Sequence, residues 1–359
     1  MRIVFFGLTL SSSWGNGHAT TYRALLRALA SRGHDILFLE CDKPWYADHR
    51  DLTDPGFCRL AFYGDASDLE RHRLAIAGAD VVVIGSYVPD GASVIDLVSS
   101  WVRGTFCFYD IDTPVTLRGV CDGSAEYLLA SQIPLFDLYF SFTGGPTLRR
   151  LERQFGARRA RALYCGVDTE EYQPHTVTRR WALGYLGTYS PDRQPALELL
   201  LLQAARRLPG ERFVVAGPQY PRDIDWPHNV DRIEHLPPAE HSAFYAAQEW
   251  TLNVTRTDMA LCGYSPSVRL FEATACGTAV MTDSWPGIET IFKPQEQIVV
   301  VHGVADLIAT LALSPAERNR IASAGRRRTV QQHTAEARAR EMEACLATVR
   351  RVPLRVAIR

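Results

Sequence analysis

The feature that most constrains this chain is an alternation. Short, nearly uninterrupted apolar runs are separated by segments whose leucines recur at helical spacing. Candidate strands in the first half are Ile3–Leu8, Ile36–Glu40, Val81–Ile84, Thr105–Tyr109, Leu138–Phe142 and Ala162–Cys165. Between the first two lies Tyr22–Leu29, a helical pattern ended by Gly33. A strand that is apolar along its whole length needs cover on both faces, and a parallel sheet with crossover helices supplies it. The pattern therefore predicts an α/β, doubly wound architecture.

The rhythm breaks over Val167–Arg180, a polar stretch containing Pro174, and a second α/β series follows. Its candidate strands are Trp181–Leu186, Arg212–Ala216, Trp250–Val254, Ala279–Met281 and Ile298–Val301, with helices across Ala196–Leu208 and from about Ser267. A length of 359 residues exceeds what one hydrophobic core usually serves. We therefore expect a Rossmann-like domain over 1–166, a linker over 167–180, a second Rossmann-like domain over 181–332, and a C-terminal helix and tail over 333–359. Two such domains facing each other would place chemistry in the cleft between them, at the carboxyl ends of the strands.

Composition removes several classes. With 39 basic against 40 acidic side chains the chain lacks the basic excess with which proteins neutralise duplex nucleic acid. Nowhere do about 18 apolar residues run together, so no transmembrane segment is expected. Arg2 ahead of Ile3–Leu10 imitates a signal peptide, but no small-x-small cleavage site follows and the run leads into a patterned helix. The eight cysteines form no Cys-x-x-Cys pair and no zinc-type spacing, which suits reduced thiols in a cytoplasmic protein. The arginines of Leu148–Arg161 read as a solvated helix face, with weak peripheral membrane contact as the alternative.

Four constellations carry possible chemistry. Gly15-Asn16-Gly17-His18, between the first strand and the first helix, would let a ligand approach the backbone, with anions drawn to the helix start. Glu40, closing the second strand, stands where the ribose-binding acid of a dinucleotide enzyme would lie. Thr20 replaces the third glycine of that fingerprint, which weighs against a dehydrogenase. Asp110 and Asp112, directly after the strand Thr105–Tyr109, suggest either a divalent metal site or a carboxylate pair; the strand-end location favours Asp112 as a base or acceptor-side group, with no metal.

The third constellation runs from Gly263 to Val280. Ser265, Pro266 and Ser267 precede an amphipathic helix and Gly277 ends it, so its N-terminus offers N–H groups and two hydroxyls to a phosphate, with Arg269 adding charge. Glu272, one turn further in, can accept both hydroxyls of a ribose; the alternative is a capped helix with a solvated glutamate. In the fourth, the loop Gly187–Pro195, Arg193 either clamps a diphosphate or forms a surface pair with Asp192 or Glu198. Trp14, Trp45 and Tyr46 are aromatic candidates for stacking on an acceptor, or packing residues.

These motifs resemble a known group. Cys165–Pro174 (CGVDTEEYQP) is similar to the interdomain "N-G-V-D…F-x-P" segment of GT-B glycosyltransferases, and Phe271–Val280 (FEATACGTAV) to their donor-site helix "E-A-x-A-C-G-x-P-V". His235–Tyr245 is similar to their base-binding region. The wording of Trp14–His18, Tyr109–Pro114, Phe140–Pro146 and Gly187–Arg193 most resembles the CgeB-like, spore-maturation-type members. The resemblance implies a GT-B architecture of two facing Rossmann-like domains and a nucleotide-sugar donor, UDP-linked, that needs neither cofactor nor metal. It implies Glu272 at the nucleotide ribose, Ser265 and Ser267 at the diphosphate, Arg193 at a phosphate, and Gly17 and His18 beside the reacting sugar. Many retaining relatives carry a second glutamate eight residues before the helix glutamate. Here that place is Tyr264, so retention is not carried over, and His18 or Asp112 as an inverting base stays open. A nucleotide-sugar epimerase and a non-catalytic surface-layer or assembly protein are the competing readings.

Overall fold

The computed structural model describes residues 1–14 and 17–349. It contains two all-parallel sheets. The first has seven strands: β1 (Arg2–Gly7), β2 (Asp35–Cys41), β3 (Arg59–Tyr63), β4 (Val81–Gly85), β5 (Thr105–Asp110), β6 (Leu138–Ser141) and β7 (Ala160–Ala162). They lie in the order β3-β2-β1-β4-β5-β6-β7. The second has six: β8 (Trp181–Leu186), β9 (Phe213–Ala216), β10 (Val230–Ile233), β11 (Gln248–Asn253), β12 (Ala279–Thr282) and β13 (Val299–Val300). Their order is β10-β9-β8-β11-β12-β13. Both sheets thus wind outward one way from their first strand and then the other, the doubly wound Rossmann topology.

The apolar runs explain the sheet centres. Five of the six residues of β1 are buried, and Val4 is in register with Leu37 on one side and Val82 on the other. Helices such as Gly91–Ser99 cover the faces, burying Val94, Ile95 and Val98. One core gathers Val4, Phe6, Leu39, Val82, Phe108 and Tyr139; the other gathers Leu183, Phe213, Val215, Trp250, Leu252 and Met281. The chain divides into two compact units. The first comprises Met1–Ser12, Leu25–Leu163 and the chain from Ala339; the second comprises Ser13–Ala24 and Tyr164–Arg338.

Several local expectations shift. The strand expected at Ala162–Cys165 lies two residues earlier, at Ala160–Ala162. β3 and β10 were not among the expected strands; both are sheet edges, mostly half-exposed, so neither carries a full apolar run. The arginine-rich segment is helical only over Pro146–Gln154, where Arg149, Arg150 and Arg153 are exposed. Gly156, in the left-handed region at φ 74°, follows it, and Arg158, Arg159 and Arg161 lie in the loop and strand beyond. The helix expected across Ala196–Leu208 forms as three consecutive stretches, Gln194–Leu197, a π-helical turn over Glu198–Leu202, and Gln203–Arg207. Among the described residues no helix is long and apolar enough to cross a membrane.

Candidate functional site

The helix Val268–Ala275 is built as its sequence suggests. Ser267 caps it, its hydroxyl accepting from the Arg269 N–H at 3.3 Å, and Gly277 follows its end in the left-handed region at φ 75°. Glu272, buried on this helix, lines an open recess with Val268, Gly166, Val167, Asp168, Glu171, Tyr172, Thr20 and Ala24. All of these residues belong to the second unit. Glu272 Oε2 accepts from the Tyr245 hydroxyl at 2.9 Å. Ser265 is buried in the turn before the helix.

Arg269 is engaged by the protein's own groups. Its Nε donates to the Leu186 carbonyl at 2.5 Å and its Nη1 to Asn253 Oδ1 at 2.7 Å, while the guanidinium lies 4.5 Å from the centre of the Tyr185 ring. Asn253 in turn donates to Thr282 Oγ1 at 2.9 Å. This charge therefore ties together the ends of β8, β11 and β12. Arg193, at the start of Gln194–Leu197, donates to the Thr188 carbonyl at 2.7 Å, and its buried Nε has no hydrogen-bond partner. Tyr264, where the second glutamate of retaining relatives would stand, adopts φ 51° and its ring covers Gly287, leaving no room there for a Cβ.

The other candidates are distributed over both units. Gly15 and Asn16 lie outside the described residues. Gly17 precedes the helix His18–Ser31, with open space where a side chain would project; half-buried His18 begins that helix. Trp14, about one-third exposed, packs against His235 with ring centres 4.8 Å apart. Trp45, exposed, and Tyr46, half-buried, share the short helix Pro44–Ala47 after β2. Burial pushes the Tyr46 phenol up from its ordinary value.

Asp110 ends β5 fully buried. It accepts from Thr116 Oγ1 at 2.7 Å, Tyr139 OH at 2.5 Å and the Asp112 N–H at 3.2 Å. Burial outweighs these donors and raises its carboxyl to about 6. Asp112, half-buried, accepts from Tyr87 OH at 3.1 Å, and Tyr87 itself sits at φ 63°. Among the described residues, no three His, Cys, Asp or Glu side chains cluster where they could hold a metal ion.

Glu40 is fully engaged within its own unit. Its carboxylate accepts from the Leu10 N–H at 2.7 Å, the Ser11 N–H at 2.9 Å, Ser11 Oγ at 2.6 Å and Thr9 Oγ1 at 3.1 Å. It thus holds the loop after β1, and four donors leave it little capacity for a ribose.

Sequence reasoning missed the groups around Glu272. Tyr172 had a signal, since it occupies the aromatic place of the "F-x-P" segment. Tyr245 and His241 had only the likeness of His235–Tyr245 to a base-binding region, which does not indicate that they face Glu272.

The comparisons with known proteins bear on the same region. The family described as glycosyl transferase-like matches residues 193–344. No curated protein matches the sequence. Among solved structures, sucrose-phosphate synthase from Thermosynechococcus elongatus superposes with a TM-score of 0.70 at 14% identity, covering 97% of this chain and 98% of that one. The Anabaena protein HepE, in complex with UDP and glucose, gives 0.69 at 13% identity over 97% of this chain and 100% of its own. An alpha-glucosyltransferase in complex with UDP-glucose and DNA gives 0.71 at 12% identity over 97% and 99%. The fold is that of the GT-B glycosyltransferases: two Rossmann-like units in one chain. Within it, the matched family segment contains the helix that carries Glu272.

Proposed function

We propose that this protein is a glycosyltransferase that moves a hexose-type sugar from a nucleoside diphosphate donor, UDP-linked, to a hydroxyl of its acceptor. The observation that carries the reading is Glu272: a buried carboxylate on a capped helix, lining a recess, inside the segment that matches the glycosyl transferase-like family. The similar structures support the donor class, since HepE forms complexes with UDP and with UDP-glucose. Glu272 accepts the ribose hydroxyls; Ser265, Ser267, Arg193 and the N-terminus of Val268–Ala275 hold the diphosphate as charge develops on it, which removes the need for a metal. The acceptor oxygen attacks the anomeric carbon, the bond from that carbon to the diphosphate oxygen breaks, and the hydroxyl proton passes to His18 or Asp112. We further assign the protein to the cytoplasm and to the CgeB-like enzymes.

Calorimetric titration with UDP tests the assignment. Glu272→Ala is expected to weaken binding about 10- to 100-fold, the worth of one or two hydrogen bonds to a charged group, with the fold intact; unchanged affinity sinks it. Incubation with UDP-glucose and no acceptor separates the alternatives. Slow release of free UDP supports a transferase, an isomer of the intact donor supports an epimerase, and failure to bind UDP, GDP or dTDP supports a non-catalytic protein.

A further inference from the structure

The Glu272 carboxylate has one phenol committed to it. Tyr245, fully buried on Pro238–Ala246, donates to Glu272 Oε2 at 2.9 Å. Its main chain is fixed as well, since Thr278 Oγ1 donates to the Tyr245 carbonyl at 2.7 Å. Burial, and next the Glu272 carboxylate, push the Tyr245 phenol well up, so it stays a donor. Tyr172 is the other phenol beside this carboxylate, and after burial the carboxylate helps to push its phenol well up, but the short hydrogen bond of its hydroxyl is to His241. Tyr172 OH lies 3.0 Å from His241 Nδ1, and His241 Nε2 lies 3.2 Å from the Leu236 carbonyl. A carbonyl only accepts, so Nε2 carries the ring proton and Nδ1 accepts from Tyr172. Burial lowers the His241 pKa, which keeps the ring neutral and this arrangement in place.

A glutamate carboxylate turns freely unless something fixes it, and Tyr245 fixes one oxygen of a carboxylate that lines a recess. We propose that Tyr245 is a positioning residue that makes Glu272 selective for a vicinal diol, and hence for ribonucleoside over 2′-deoxyribonucleoside diphosphates. The inference rests on the reading of Glu272 as the ribose partner. An oriented carboxylate takes both hydroxyls of a ribose. With the deoxy sugar it is left short of a donor, and a buried group left unpaired is what gives a site its power to reject an analogue.

The test titrates the full chain with UDP and 2′-deoxy-UDP. Wild type is expected to prefer UDP about tenfold, and Tyr245→Phe to narrow that ratio to about threefold or less, mostly by losing UDP affinity. Tyr172→Phe, whose proton belongs to His241, is expected to keep the wild-type ratio, an outcome that a merely structural loss would not separate. An unchanged ratio in Tyr245→Phe, no preference in wild type, or the same collapse in Tyr172→Phe overturns the proposal. If Glu272→Ala binds UDP as tightly as wild type, the ribose assignment itself has failed, which distinguishes that failure from one at Tyr245 alone. Should thermal unfolding show that Tyr245→Phe does not fold, Glu272→Asp takes its place. Drawing the carboxylate back by one methylene breaks the same contact, and an unchanged ratio there overturns the proposal equally.

Discussion

Each sheet reverses its winding beside its first strand, and in each the chain at or just after the end of that strand is held by a buried charge, but the charges have opposite signs. In the first unit Glu40 gathers the N–H groups of Leu10 and Ser11 and the hydroxyls of Thr9 and Ser11. In the second unit Arg269 covers the Leu186 carbonyl and Asn253 and lies over Tyr185. An acid consumes donors, whereas a guanidinium consumes acceptors. The loop after β1 has therefore given two N–H groups to the protein's own carboxylate, groups that an anion would otherwise use. The end of β8 has given up a carbonyl, which an anion would only repel. The same topological position is thus held by opposite charges in the two units.

Mutations can break this comparison. The largest effect is expected from Glu40→Ala, which strands two buried N–H groups and two hydroxyls. A loss of about 3–5 kcal/mol in urea unfolding is expected, and a loss below about 1 kcal/mol would remove the loop-holding role. Arg269→Met comes next, with about 3 kcal/mol lost as the Leu186 carbonyl and Asn253 lose their donor. If stability holds while UDP affinity falls more than about tenfold, Arg269 is a phosphate ligand and the symmetry of the two anchors fails. The smallest effect concerns Asp110, the other buried acid of the first unit. Its folded carboxyl titrates at about 6 against an ordinary 3.8, so between those values the folded state keeps a proton that the unfolded chain has lost. The contribution of Asp110 to stability should be complete below about pH 4 and be lost, by roughly 1–3 kcal/mol, as pH rises to about 6. Asp110→Asn should flatten that fall, and an unaltered profile would show that another group titrates.

How much of this was legible in the sequence depended on how local the cause was. β1, β4, β5 and β8 announce themselves because a strand covered on both faces must be apolar throughout. β3 and β10 do not, because an edge strand such as Val230-Asp231-Arg232-Ile233 keeps a mixed composition. The helix carrying Glu272 was readable from Ser267 and Gly277, both within a few residues of its ends. The fates of Glu40 and Arg269 were not. Their partners lie about 30 and 83 residues away, and a charged residue beside a glycine loop reads the same whether it faces a ligand or its own backbone. Glu40 looked like a ribose acid and Arg269 like a phosphate ligand for that reason.

The division of the chain into units has a consequence for anyone who would handle it in pieces. Two helices are shared, His18–Ser31 changing unit after Ala24 and Ala335–Ala347 after Arg338. Within the first unit, Glu343 is bound by Arg32 at 2.6 Å and lies 2.7 Å from His34. Within the second, Arg338 donates to the Cys165 carbonyl at 3.2 Å, and Thr20 and Ala24 line the Glu272 recess. A gene fragment stopped near codon 166 would therefore discard the acid that Arg32 and His34 share. Its complement would begin without the wall of its own recess. Recombination that swaps one half of such a protein at a single crossover would carry the same double fault.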